Sequence, residues 1–186
     1  KLAVEHLDQN ETSNESKRNE LGVRRLSMTV ERHFTATGFV VHNNRVLLHW
    51  HPKVKAWLPP GGHIETNEDP VSAVLREIVE ETGLEVEIVS DGPKIKICYP
   101  KQVPPPVTIL IEDINDPVTG YHQHIDLIYF CRVLDLYPHV DESWQWVSYQ
   151  ELSEGVSLQH GSIYMNPPPK DVSLLGCQAI EAVETT

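Results

Sequence analysis

Between Gly62 and Leu84 the chain is committed to one local structure: a glycine turn, a capped helix crowded with acids, and a glycine stop. Asp69 suits the N-cap, Pro70 the first helical position and Gly83 the residue past the end, which predicts a helix over Asp69–Thr82. At roughly 100° per residue, Val71, Val74, Leu75, Ile78 and Thr82 fall on one face, with Val79 at its edge. That face is a core stripe. Glu77, Glu80 and Glu81 share a neighbouring face, with the small Ala73 one turn back leaving room before them.

Local energetics oppose this placement of acids. Glu77 and Glu81 are like charges at i and i+4, which costs about 0.2–0.5 kcal/mol in an isolated helix. Glu80 and Glu81 also occupy the last turn, the negative end of the macrodipole. A solvated acidic face tolerates such penalties, and that is the ordinary reading of a bare Glu-Glu pair. A hard divalent cation reverses the sign of both, because carboxylate oxygens are its preferred ligands. Local rules tend to be broken at functional sites.

The wider spacing separates these readings. Residues 62–84 fit GX5EX7REUXEEXGU, where U is aliphatic, at every specified position. Gly62, Glu68, Arg76, Glu77, Ile78, Glu80, Glu81, Gly83 and Leu84 carry the match, which is far more specific than a lone glycine-rich loop. This pattern is the Nudix box, and the chain resembles the Nudix hydrolases, strictly over this stretch and more loosely from about residue 33 to the end.

The resemblance implies an α/β fold, a Nudix-type α/β/α sandwich with a mixed central sheet. It implies magnesium, with manganese as the alternative, held by Glu77, Glu80 and Glu81, the backbone carbonyl of Gly61 completing the shell. Arg76 is then structural, reaching Glu80 at i+4 or back to Glu68, and Gly61 and Gly62 let the backbone turn tightly beside charged oxygens. Water attacks phosphorus, the metal polarises the phosphoryl oxygens, and a general base takes the water's proton. In this family the base is a box glutamate or one on a distant loop. Glu142 is the loop candidate: it precedes Trp146–Leu152, which resembles the family's Trp-Val-x-x-x-Glu-Leu stretch. Its competing reading is a plain exposed loop acid; Asp141 and Glu112 are weaker candidates.

Other segments read less sharply. Residues 1–28 are expected to form a polar, flexible tail, with too little apolar surface to offset the entropy of ordering, and 29–186 the Nudix domain. Phe34–His42 and Arg45–Trp50 read as a hairpin across Asn43-Asn44. Leu84–Val89, Lys94–Tyr99, Val107–Ile114, Ile125–Leu134 and Trp144–Val147 read as strands, Ser148–Ser153 as a brief helix and Asp171–Glu184 as the last helix. Strands, helix, strands and helix in that order argue for a mixed sheet covered by helices.

Substrate contacts are suggested weakly. Trp57 could stack on a base, although beside Leu58 it fits a core. Lys53 could meet phosphate. His122 and His124, at i and i+2, face one side of a strand and could line a pocket or bind metal. With no Cys partner or third His nearby, the pair does not read as a zinc site. Pro100 resembles the ADP-ribose-cleaving branch and Tyr99 the dinucleoside polyphosphate branch, which leaves the subfamily open.

A net charge of −12 makes the chain a poor general binder of nucleic acid or anionic membrane, and disfavours RNA decapping. Three separated cysteines with no CxxC pair, and no apolar secretory signal, fit a cytoplasmic location. The expected function is metal-dependent hydrolysis of a phosphoanhydride bond in a nucleoside diphosphate linked to another moiety, of ADP-ribose or nucleotide-sugar type. The alternatives are a nucleoside triphosphate pyrophosphohydrolase, oxidised nucleotides included, and a non-catalytic nucleotide-sensing module. The expected partner is a small nucleotide, with a homodimer possible.

Overall fold

The computed structural model describes residues 30–90, 92 and 95–185; the tail expected over 1–28 lies outside them. Strands β1 (Arg32–His42) and β2 (Arg45–His51) form the expected hairpin, with Asn43 and Asn44 at φ of 49° and 59°. Asparagine tolerates such a turn better than most residues. Then come β3 (Ala56–Leu58), β4 (Gly61–His63), α1 (Pro70–Thr82), β5 (Val86–Val89), β6 (Thr108–Asp116) and β7 (Gly120–Val133). The chain closes with β8 (Trp144–Ser148), α2 (Tyr149–Glu154), β9 (Leu158–His160), β10 (Ile163–Met165) and α3 (Lys170–Glu184).

An eight-stranded sheet carries the path β3-β2-β1-β7-β5, with β4 beside β1, β6 beside β7 and β8 beside β2. Its β1/β7 pair is parallel and the others antiparallel, so the sheet is mixed, as expected. Alternation along β1 divides the core in two. Ala36 and Val40 pack with Val74 and Ile78 of α1, while Phe39 and Val41 pack with Val172, Ala179 and Ile180 of α3. Helices thus cover both faces. Gly38 lets α1 sit close to the sheet: a β-carbon there would stand 2.6 Å from Ile78 Cδ1.

Four expectations change. Residues 95–99 form no strand, and Ile95, Ile97 and Tyr99 are exposed, so their alternation has no core to face. β7 begins at Gly120 rather than near Ile125, because its polar start pairs with β6. Ala73 is fully buried in the core under α1 instead of lying in front of the glutamates. Trp57 is fully buried, and its indole N–H donates to the carbonyl of Asn166 at 3.1 Å, so it cannot stack on a ligand.

Candidate active site

The box helix starts and stops on the residues that cap it. The Asp69 carboxylate accepts from the Val71 and Ser72 amides, and Gly83, at φ 73°, turns its N–H onto Val79 O. The end of α1 is held over β4 and the start of β8. Gly61 N–H donates to Glu81 Oε2 at 3.1 Å, and the Trp144 indole N–H donates to Glu81 O at 3.2 Å.

Arg76 organises the acids. Its Nε and Nη2 donate to the two oxygens of Glu68, both at 3.0 Å, while Nη1 donates to Glu77 at 2.8 Å and Glu80 at 3.1 Å. Nη2 also donates to the carbonyl of His63 at 3.0 Å, fastening α1 to β4. Both reaches expected of Arg76, to Glu68 and to Glu80, occur together. The contact with Glu77 is an addition that i, i+1 spacing did not suggest. These bonds hold the Glu68 carboxyl below its ordinary range and push the guanidinium further up.

Glu81 behaves differently. The residue keeps exposed surface, yet its carboxylate is crowded. Burial, Glu77 and Glu80 push it up, against the Gly61 amide, which pulls it down. Three carboxylates thus share one guanidinium, and Glu81, which takes no bond from Arg76, feels the charge of Glu77 and Glu80. That donor set fits a hard divalent cation, with Glu77, Glu80 and Glu81 able to hold it. Gly62 supplies clearance: a β-carbon there would stand 2.8 Å from Glu77 Oε2.

A cleft of about 570 Å³ opens beside this group, lined by Gly61, Gly62 and Glu81 and by Glu112, Asp126 and Asp171. Asp126 is buried, accepts from Thr35 Oγ1 at 2.9 Å, and is pushed up by burial. Burial, with Asp126 and Asp171 near, pushes Glu112 up to about 7. Alternation on β6 could have flagged Glu112 as inward-facing; nothing local placed Asp126 or Asp171 with it.

The remaining candidates scatter. Glu142 is exposed on the turn before β8 and is not among the residues lining the cleft. Asp141 is exposed on the same turn and holds Ser143 through its carboxylate. Lys53 is exposed on the β2–β3 turn, outside the cleft lining, where its charge acts on Asp116. His124 does line the cleft; burial and the neighbouring His63, His122 and His33 lower it to about 4. The expectation that no third histidine lies near is overturned, because strand pairing brings His33 and His63 beside the pair.

With this geometry in view, comparisons agree on the family. The NUDIX domain matches residues 32–166, and the chain belongs to the Nudix hydrolase family. A Nudix-family hydrolase from Clostridium perfringens superposes with a TM-score of 0.62 at 26% identity, covering 83% of this chain and 99% of that one. An RNA pyrophosphohydrolase from Thioalkalivibrio sulfidiphilus is 31% identical over 121 residues, 60% of this chain and 68% of the relative. The m7GpppN-mRNA hydrolase NUDT17 of Xenopus laevis is 56% identical over 34 residues, 18% of this chain. The matched stretch spans only 12% of that relative and 18% of its counterpart from Danio rerio. No helix among the described residues is long and apolar enough to cross a membrane.

Proposed function

We propose that this hydrolase cuts the phosphoanhydride bond of a nucleoside diphosphate joined to a second, hydroxyl-rich moiety, of ADP-ribose or nucleotide-sugar type. The observation that carries this reading is the convergence of Glu77, Glu80 and Glu81 beside a cleft that three further acids, Glu112, Asp126 and Asp171, line. Carboxyl groups hydrogen-bond sugar hydroxyls in either protonation state, and those that are ionised repel the extra charge of a triphosphate. A cleft of about 570 Å³ falls within the range of small-ligand sites.

Glu77, Glu80 and Glu81, with the Gly61 carbonyl, are the groups that would hold magnesium or manganese. Such an ion, when bound, supplies polarisation of the phosphoryl oxygens and a more acidic water. The chain does the rest. Arg76 keeps Glu77 and Glu80 aimed together, Glu68 anchors Arg76, and Gly62 keeps the space before Glu77 open. Proton removal from the attacking water falls to Glu81, whose carboxylate takes no bond from Arg76 and is pushed up by burial.

A second reading, action at the 5′ end of RNA, draws on the RNA pyrophosphohydrolase relative. The net charge of −12 argues against it. The test is a phosphate-release screen with magnesium or manganese and a coupled phosphatase, over nucleotide sugars, ADP-ribose, dinucleoside polyphosphates, triphosphates and 5′-triphosphorylated RNA. The expected products are a nucleoside monophosphate and a sugar phosphate. Turnover confined to triphosphates or RNA would refute the substrate class, and tight nucleotide binding without turnover of any compound would favour a sensing module.

A further inference from the structure

We propose that His33, His63, His122 and His124 form a binding site for one borderline transition-metal ion of the zinc class, separate from the box carboxylates. The four histidines come from three strands. His33 on β1 stands in parallel register with His124 on β7, and His122 lies two residues earlier on the same face of β7. β4 runs antiparallel to β1 with His63 opposite Thr35, which brings its ring to the same place.

The spacing suits a shared ion. One ring nitrogen from each of His33, His122 and His124 lies within 4.8 Å of the others. Ring centroids stand 5.0 Å apart for His33 and His122, 5.1 Å for His122 and His124, and 6.0 Å for His33 and His124. His63 adds distances of 5.4 Å to His33 and 4.9 Å to His124. Two imidazoles on a tetrahedral zinc ion, with zinc–nitrogen bonds of about 2.0–2.1 Å, place their centroids about 5 Å apart. Small side-chain rotations therefore suffice to close the set.

The second partners of the rings point the same way. His122 Nδ1 lies 3.0 Å from the Gly120 carbonyl, which can only accept, so Nδ1 donates and Nε2 is the ring atom that could meet an ion. His33 Nε2 lies 3.1 Å from the Glu31 carboxylate, which in the same way leaves Nδ1 as the ring atom that could meet an ion. A carbonyl or carboxylate behind a ligating histidine is the usual outer shell of such sites. His124 Nε2 is buried with no hydrogen-bond partner. An orphaned ring nitrogen facing other histidines has a missing partner, and a metal ion is one that three or four neutral imidazoles can satisfy together. Magnesium is not, because it demands oxygen ligands.

The site adjoins the box through main chain. The His63 carbonyl accepts from Arg76, and Gly61 and Gly62 stand just before it on β4. A bound ion would tie β1 and β7 to the strand on which the box begins.

The test uses the full chain, stripped with a chelator, and titrated with zinc by calorimetry and with cobalt(II) by visible absorption. A Glu77→Gln/Glu80→Gln/Glu81→Gln variant silences the box. One zinc per chain is expected in this variant as in the wild type, undisturbed by excess magnesium, with the intense cobalt bands of tetrahedral nitrogen coordination. His124→Gln and, at the more accessible end of β1, His33→Gln should each weaken zinc binding at least about 100-fold. No zinc bound by the box variant, or binding unmoved by either histidine change, overturns the proposal. If His124→Gln fails to fold, His33→Gln and the box variant decide.

Discussion

Gly62 lies against the carboxylate of Glu77, so closely that a β-carbon at residue 62 would stand 2.8 Å from Glu77 Oε2 and force the acid aside. The relationship links the turn to the chemistry. Gly62 is required less for its own backbone angle than for the space its missing side chain leaves in front of Glu77. Gly62→Ala is therefore expected to lower kcat about 100-fold by displacing one carboxylate, while the circular dichroism spectrum and Tm stay near wild type. Unchanged turnover would mean that Glu77 does not need its observed position.

Arg76 holds Glu68 through two parallel bonds and reaches Glu77, Glu80 and the His63 carbonyl with the same planar group. A lysine keeps the charge but not the fork. Arg76→Lys should cost about 1–3 kcal/mol in unfolding free energy and raise the metal concentration needed for half-maximal rate about 10–100-fold. Urea unfolding and a magnesium titration of the rate separate the two effects. An unaltered metal requirement would reduce Arg76 to a structural clamp.

Trp57 provides a contrast. Its indole is buried against Trp50 and His160 and bonded to Asn166. Trp57→Phe should lower stability by about 1–3 kcal/mol through lost packing and a stranded carbonyl, with KM within about twofold of wild type. A large KM rise at full stability would put the indole back in the substrate's path.

Glu112 yields a prediction in pH. Its folded-state value, about 7, lies above the ordinary 4.5, so the folded state holds a proton that the unfolded chain releases between these values. Stability from this group is full below about pH 4.5, falls as pH rises through the window, and is lost above about 7. Glu112→Gln removes that slope. After allowance for partial exposure, the variant should gain about 1–2 kcal/mol on the wild type between pH 4.5 and 8. Parallel stability–pH curves for the two proteins would contradict the burial assigned to Glu112.

What could be read from the sequence follows the range of the interactions involved. The box helix was legible because its signals are local: Asp69 and Pro70 start it, Gly83 ends it, and the apolar stripe gives its face. The three glutamates came with it. β4 was not legible, since Gly61 and Gly62 carry no side-chain pattern and the strand exists only by pairing with β1. The expected strand ending at Tyr99 shows the converse, an apolar alternation that no neighbouring strand takes up. The His122/His124 pair was visible as two residues on one strand face. Its partners His33 and His63 were hidden because strand pairing, not spacing, brings them in. Asp126 and Asp171 join Glu112 by the same long-range route.

Glu77, Glu80 and Glu81 stand together on one helix, Arg76 pairs with only two of them, and the proposed function has all three hold a hard cation. Manganese binding and turnover measured side by side on the wild type and Glu81→Gln test this most directly. The account predicts that Glu81→Gln keeps its Tm, loses most of its tight manganese binding and falls at least about 1000-fold in kcat, as expected when a carboxylate serves both metal and proton transfer. A Glu81→Gln protein that binds manganese as the wild type does and turns over an accepted substrate at the wild-type rate would contradict it.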